Sequence, residues 1–494
     1  MIKKLSELAL LIPEAKIIGE DVEISGIEHD SRKITAKNLF VCMEGSHVDG
    51  HNYIPQAMER GAVAIITTRK NFEPPSNLSV LVVPDMLNAL AVIVPYFYDY
   101  PAQSMRVIGV TGTNGKTTTT YMLRQIFLNA GFSVGLIGTI QILIGDKSYP
   151  NPNTTPNIID LQHVFAMMRE QNIQVVVMEV SSHSLVENRV AGIEFDTAVF
   201  TNLTQDHLDF HGTMENYLRA KAKLFDMTSR RGHKQGKTAV VNIDDAAGSQ
   251  ILNHCLCDKI TYGVENSADL RAVDVNVRAD GMKFKIRGSF GVMDLTLHVT
   301  GLFNVYNVLC AVGAALAENI SPDIIKSSLE NFRSVPGRFE RIFADIPFAV
   351  IVDYAHTPDG VKNVLETARK IAKGRIITVF GCGGDRDNRK RPIMGKLAAQ
   401  LSDIVIATSD NPRTENPEKI LDDVEVGVKE SIGEKFYERI ADRRSAIFRA
   451  IQLASSGDVV LILGKGHENY QILNTGTIHF DDREVAHEAI ISVK

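Results

Sequence analysis

Short apolar runs recur along the chain, and the polar stretches between them predict the fold. Over residues 1–100 the runs "NLFVCM", "AVAIITT" and "SVLVVP" are separated by helix-compatible segments, which predicts a small α/β domain. "DYPAQSM", 99–105, reads as a linker. From Arg106, "VIGVTG", "SVGLIGT", "VVVMEV", "TAVFTNL" and "TAVVNID" alternate with helix-patterned stretches. Runs apolar at every position are buried on both faces, so this alternation predicts a doubly wound, mostly parallel sheet. Residues 266–300 switch to strict apolar/polar alternation around an Asp-Gly turn, predicting appended antiparallel strands. "NVLCAVGAALAENI" predicts a helix. After a second break at "FRSVPGRFER", 332–341, the runs "AVIVDYA", "IITVFGCGG", "IVIATSD" and "VVLILGKGHE" predict a further parallel sheet. Each ends in glycine or polar residues, the edge where open α/β sheets place ligands.

The expectation is three α/β domains. An N-terminal domain covers 1–103, a central P-loop ATPase domain 104–335, and a Rossmann-like C-terminal domain 336–494. The 494 residues agree with that count at about 150 residues per domain. A composition of 44% hydrophobic and 23% charged residues fits a soluble globular protein, and a net charge of −6 gives no general basic field for nucleic acid. The N-terminal "MIKKLSELALLIPEAK" has lysines before an apolar stretch, but Glu7 and Glu14 interrupt it. It is too short for a signal core or a membrane span, so a cytoplasmic protein is expected, without a membrane partner. Cys42, Cys255, Cys257, Cys310 and Cys382 form no C-x-x-C pair and are odd in number, against a disulfide framework or structural zinc.

The chemistry starts at "GVTGTNGKTTTT", 109–120, between a predicted strand and a predicted amphipathic helix ending at Gly131. Glycines let the backbone approach phosphates, and the helix N-terminal N–H groups bind anions. Lys116 would reach the β/γ phosphates and the Thr117 hydroxyl a magnesium ion. The usual G-x-x-x-x-G-K-[ST] spacing would need glycine where Val110 stands, so this is a shorter variant. Glu179 ends the strand "VVVMEV" and is the candidate second metal anchor. "FTNLTQDHLDFHGTMENYLRAK" carries Asp206, His207, Asp209, His211 and Lys221, without the spacing of a zinc site. His207 is an unusual ligand for a hard cation, and its chemistry leaves a hydrogen-bonding role equally open.

"GVTGTNGKTTT", "MEVSSHSL", "FTNLTQDHLDFHGTMENYLRAK", "GLFNVYNVLCA", "VPGRFE", "DYAHTPD" and "GCGGDRD" occur together and in this order. Over essentially the whole length the chain resembles the Mur ligases, ATP-dependent amino-acid-adding enzymes of peptidoglycan assembly. "HDSR", "NTTPN" and "TSDNPRTENP" point to the members that form the UDP-N-acetylmuramoyl-tripeptide. The resemblance implies attack of a substrate carboxylate on the γ-phosphate of ATP, an acyl phosphate, and its displacement by an amine. It implies two Mg2+ ions held by Thr117, Glu179, His207 and a carbamylated Lys221, with Lys116, Glu179, His207 and Lys221 as the catalytic set. ATP would be held by Gly112, Thr113, Asn114, Gly115, Lys116, Thr117 and Thr118, with Asn307 toward adenine, Arg338 toward phosphate and Asp353 toward ribose. Ser31 and Arg32 match contacts to uridine diphosphate. Asn153, Thr154, Thr155, Ser182 and Arg189 match contacts to the muramoyl-peptide, while Glu187 departs from a frequent glutamine.

Arg386, Asp410, Asn411, Pro412, Arg413, Gly464 and Glu468 match contacts to the incoming amino acid. Arg413 offers a fork for a second carboxylate, which meso-2,6-diaminopimelate has and L-lysine lacks. The expected partners are therefore UDP-N-acetylmuramoyl-L-alanyl-D-glutamate and meso-diaminopimelate, with L-lysine the alternative, and the resemblance implies a monomer. A GTPase-like switch would need a guanine-reading N-K-x-D, which "NPNTTPN" does not supply. "HDSR" and "DNPRTENP" stand against a folylpolyglutamate synthetase.

Overall fold

A computed structural model describes residues 1–45, 48–278, 281–342 and 344–493. The chain divides into two compact units. One comprises Met1–Gly109, Phe132–Ala198 and Lys223–Lys237; the other comprises Val110–Gly131, Val199–Ala222 and Thr238–Lys494.

In the first unit, Asn38–Val41, Ala62–Thr67 and Ser79–Val82 are parallel neighbours in a five-stranded sheet. These are the three apolar runs of the N-terminal region. Both sheet faces are covered. Leu39, Val41, Ala64 and Ile66 join Leu90, Ile93, Val94 and Phe97 of helix Met86–Phe97 on one side, and Phe40, Ile65, Val80 and Val82 pack with Ile54 and Ala57 on the other. "DYPAQSM", expected as a linker, instead holds a 3-10 turn, Pro101–Ser104, whose Pro101 and Ala102 are buried. The same unit carries Val175–Glu179 parallel to Val134–Ile137, followed on the edge by the hairpin Ile142–Ile144/Lys147–Tyr149.

In the second unit, strand Thr238–Asn242 runs parallel to Asp258–Gly263, and then Leu270–Arg278, Gly281–Gly288 and Gly291–Leu297 form an antiparallel ribbon. The ribbon is the alternating stretch read from sequence, although Asp280 of its Asp-Gly turn lies outside the described residues. The apolar helix Leu302–Ala317 packs on the P-loop helix Lys116–Asn129. A six-stranded sheet follows, with Ala349–Asp353, Val459–Leu463, Ile376–Phe380, Ile404–Ala407 and Phe436–Arg439 parallel and Glu340–Ile342 antiparallel at one edge. Its four apolar runs supply cores on both faces, as such runs require. Their C-terminal ends present Asp353, the 381–386 loop, Asp410–Arg413 and Gly464–Glu468 along one edge.

Candidate active site

Strand Arg106–Thr111 gives way to Gly112, and helix Lys116–Asn129 begins four residues later. The turn between them is held from the next strand end. Thr201 Oγ1 donates to Asn114 O at 2.6 Å, and Asn114 N donates to Asn202 Oδ1 at 2.9 Å. Two glycines are required by crowding. A Cβ on Gly112 would meet Thr201 Oγ1 at 1.8 Å, and one on Gly115, whose φ is +89°, would meet Asn307 Oδ1 at 2.4 Å. Lys116 Nζ donates to Gly112 O and Thr113 O, each at 2.9 Å, so the ammonium lies over its own loop. Thr117 and Thr118 are buried in the first helical turn, and Thr113 Oγ1 meets Tyr217 Oη at 3.3 Å.

Beside the loop is a cavity of about 330 Å³ lined by Asn114, Gly115, Thr118, Asn307, Arg338 and Asp353, six residues singled out from sequence. Arg338 Nη2 donates to Thr117 Oγ1 at 3.1 Å, and its guanidinium lies 4.5 Å from the Tyr354 ring centroid. Asp353 accepts from the Phe339 and Ala355 amides at 2.6 and 2.7 Å, so its carboxylate organises the loop that presents Arg338. Asn307 has its amide polarity set by a relay. The Thr300 carbonyl can only accept, so Asn304 turns its Nδ2 toward it at 2.8 Å. Asn304 Oδ1 then receives Asn307 Nδ2 at 2.9 Å, which leaves Asn307 Oδ1 as the acceptor facing Gly115. Asn304 was not assigned from sequence, although it stands three residues before Asn307 in "GLFNVYNVLCA".

The acceptor-side segment contributes Asp206, His207 and Lys221. His207 has φ +53° and lies 3.2 Å from Asp206 through Nε2. Burial raises the Asp206 carboxyl pKa, but His207, His356 and Lys390 outweigh it and hold the group below its ordinary value. Lys221 is 1% exposed, with its Nζ 4.3 Å from the Tyr217 ring centroid. Burial drives its pKa well below that of a free lysine, and Lys116 adds to this against the pull of Asp206. Burial thus biases Lys221 toward the neutral amine.

In the first unit Glu179 ends its strand buried, with Oε1 accepting from Thr139 N at 2.8 Å and Oε2 from Thr139 Oγ1 at 3.0 Å. Thr155 Oγ1 donates to Glu179 O at 2.9 Å, and Thr154 meets Thr139 at 3.1 Å. Arg189 Nη1 donates to Thr155 O at 2.9 Å, so Thr154, Thr155, Glu179 and Arg189 form one cluster. Glu187 pairs with Arg189 at 2.6 Å, a role that glutamine could fill only without charge. Ser182 is buried one residue past the N-cap Ser181, whereas Asn153 is exposed. Ser31 Oγ donates to Gln56 at 2.6 Å, and Arg32 is forked onto Asp30 at 2.9 and 2.8 Å.

The amino-acid candidates meet at the C-terminal sheet edge. Asn411 Oδ1 accepts from Lys465 Nζ at 3.1 Å and Ile472 N at 2.9 Å, while its Nδ2 donates to Glu468 Oε2 at 2.8 Å. Lys465, fully buried and unassigned from sequence, also donates to Glu468 Oε2 at 2.9 Å. Burial raises the Glu468 pKa, with Lys465 opposing. Gly464 is φ +118°, and a Cβ there would meet Asp410 Oδ2 at 2.3 Å. Arg413, at φ +54° after Pro412, donates to Gly384 O at 2.7 Å. Glu415, its nearest acid in sequence, is taken instead by the buried Arg391 at 2.8 Å. Arg386 is exposed and donates to Asp385 O at 3.0 Å.

Family models match in three consecutive stretches: the Mur ligase catalytic domain over residues 23–98, the Mur ligase middle domain over 110–315, and the Mur ligase glutamate ligase domain over 337–466. The UDP-N-acetylmuramoyl-L-alanyl-D-glutamate–2,6-diaminopimelate ligase of Geobacillus thermodenitrificans is 48% identical over 96% of both chains. Its namesake in Clostridium botulinum is 46% identical over 95% of each. A solved structure of a ligase of that name is 31% identical and superposes with a TM-score of 0.66, covering 100% of this chain and 99% of the other. With identity this high along the whole length, and three Mur ligase domain models matched in order, the chain belongs to the Mur ligase family.

Proposed function

We propose that this chain is an ATP-dependent ligase joining meso-2,6-diaminopimelate to UDP-N-acetylmuramoyl-L-alanyl-D-glutamate. The carrying observation is full-length similarity, 46–48% identical, to relatives bearing that one name. The geometry supports it. Carboxylate, triphosphate and phosphoryl transition state are all anionic, so the site must concentrate positive charge. Lys116 supplies it from the P-loop and Arg338 from the C-terminal side. Asn307 Oδ1 presents an acceptor, which suits the exocyclic amine of adenine and opposes the carbonyl of guanine. An ATP-consuming step on a nucleotide-linked precursor assigns the reaction to the cytoplasm.

The donor chemistry fits magnesium. Thr117 and Glu179 offer hard oxygens, and Lys221, which burial biases toward its neutral amine, can add carbon dioxide, releasing a proton and becoming an anionic oxygen donor. Thr117 and Glu179 would hold one ion, and His207 and carbamylated Lys221 the second. Bound there, Mg2+ would neutralise phosphate charge as the γ-phosphoryl passes to the D-glutamate carboxylate. The acyl phosphate then meets the diaminopimelate amine, whose distal carboxylate pairs with Arg413 and whose distal ammonium faces Glu468. Asp410, Asn411 and Gly464 shape that pocket, Arg386 flanks it, and Ser31, Arg32, Asn153, Thr154, Thr155, Ser182 and Arg189 hold the nucleotide-sugar peptide. The test is phosphate release from ATP with each acceptor. Release should require the UDP-muramoyl-dipeptide and an amino acid; release driven instead by a folate would refute the proposal.

A further inference from the structure

Asp359 belongs to no role above, yet it lies against the P-loop. Thr357 caps helix Pro358–Ile371 through Gly360 N, and Pro358 at the first position fixes the helix start, so Asp359 stands in the first turn. Its Oδ2 accepts from Asn114 Nδ2 at 2.7 Å, from Asn363 Nδ2 at 3.1 Å and from Thr204 Oγ1 at 3.4 Å. Asn114 is also held through its backbone by Thr201 and Asn202, and its Nδ2 reaches Thr204 Oγ1 at 3.4 Å. The shortest bond to its side chain comes from a helix that lies 245 residues away in sequence.

We infer that Asp359 is a positioning residue, a tie from the C-terminal helix that holds Asn114 and with it the phosphate loop in its nucleotide-binding shape. A loop held before the ligand arrives loses less entropy on binding. The bond is charge-assisted and partly buried, so it is stronger than a neutral surface contact. All three donors converge on one oxygen, so a single well-placed acceptor suffices. Asparagine at 359 would keep the acceptor and lose the charge. The inference rests on the adenine-nucleotide reading of this pocket and adds a cross-region coupling to it.

The experiment is a double-mutant cycle on ADP affinity, measured by calorimetry without the ligation assay. Asp359→Ala and Asn114→Ala should each weaken ADP roughly tenfold, and the pair together no more than about twofold beyond either. Asp359→Asn should retain most of the affinity, within about threefold of wild type. The isosteric asparagine variant also keeps the test open should the alanine variant not fold: combined with Asn114→Ala, its small loss should vanish. In turnover, Asp359→Ala should raise KM for ATP while leaving KM for the UDP-muramoyl-dipeptide unchanged. Losses that multiply toward a hundredfold, or an Asp359→Ala chain that binds ADP normally, would overturn the tie alone. No ADP binding by wild type would overturn both the tie and the nucleotide reading.

Discussion

The pocket beside the phosphate loop and the C-terminal sheet edge, the proposed nucleotide and amino-acid sites, stand on the same unit but are built differently. With Lys116 and Arg338 as its cations, the first is shaped by backbone and neutral groups: two crowded glycines, a helix N-terminus, and an amide relay from Thr300 through Asn304 to Asn307. The second is made of charge: Lys465 and Glu468 around Asn411, and Arg413 held by a carbonyl. Beneath it the fully buried Arg443–Asp482 pair, with Arg443 also donating to Leu463 O at 3.0 Å, anchors the strand end. A phosphate chain common to all nucleotides can be gripped by backbone geometry. An amino acid that differs from its competitor by one carboxylate must be told apart by a charge. On the proposed reading, affinity is set in the first pocket and choice in the second.

The largest expected effect is on the first pocket. Lys116→Ala should cut ligation by about a thousandfold, since one preorganised charge on a phosphoryl transition state is worth that order. Residual ADP binding is expected, because the helix N-terminus remains. Steady-state ligation and calorimetry together would expose the alternative, near-normal turnover. Lys221→Ala comes next, with a loss of at least about a hundredfold. Added formate or acetate should restore part of the rate by replacing the carbamate oxygens. Intact-mass measurement of active wild type showing only free amine at Lys221 would break that assignment.

Arg413→Ala should leave ATP affinity intact and lower kcat/KM for diaminopimelate tenfold to a hundredfold, on the order expected for a lost charged pair. Lysine should lose little. Equal losses for both amino acids would erase the division between the pockets.

The last effect concerns stability against pH rather than either pocket. Burial pushes the imidazoles of His356 and His467 down to about 4 and about 3. Between pH 6.5 and about 4 the unfolded chain takes up these protons and the folded chain does not. Stability is thus full above pH 6.5 and falls as pH drops, by about 1.4 kcal/mol per unit for each group. Urea midpoints across that window should show the slope, and His356→Gln should flatten it.

The two pockets were also unequally legible in the sequence. The P-loop follows from spacing, because glycine, lysine and threonine between strand and helix can do few other things. The longer strands apolar at successive positions were found, since burial on both faces leaves no other composition, but the short strand Ile142–Ile144 was not. Strand Asp258–Gly263 and the hairpin Tyr470–Leu473/Gly476–His479 were not, because they are short and largely polar or half-exposed. At the amino-acid edge Arg413 was read only through family resemblance. Glu415, the acid nearest to it in sequence, pairs with Arg391, a residue whose burial no local pattern announces. Asp359 sat in the quoted "DYAHTPD" without a role, since its partner Asn114 is distant in sequence and adjacent only in the fold.

The account's central claim is that this chain adds diaminopimelate in an ATP-dependent step and that the Arg413 edge makes the choice. It is tested most directly by supplying ATP, UDP-N-acetylmuramoyl-L-alanyl-D-glutamate and equal concentrations of meso-diaminopimelate and L-lysine, then weighing the product. Wild type should yield almost entirely the diaminopimelate adduct, and Arg413→Ala a visibly mixed product. A lysine adduct from wild type, or a product ratio unmoved by the Arg413 change, would contradict it.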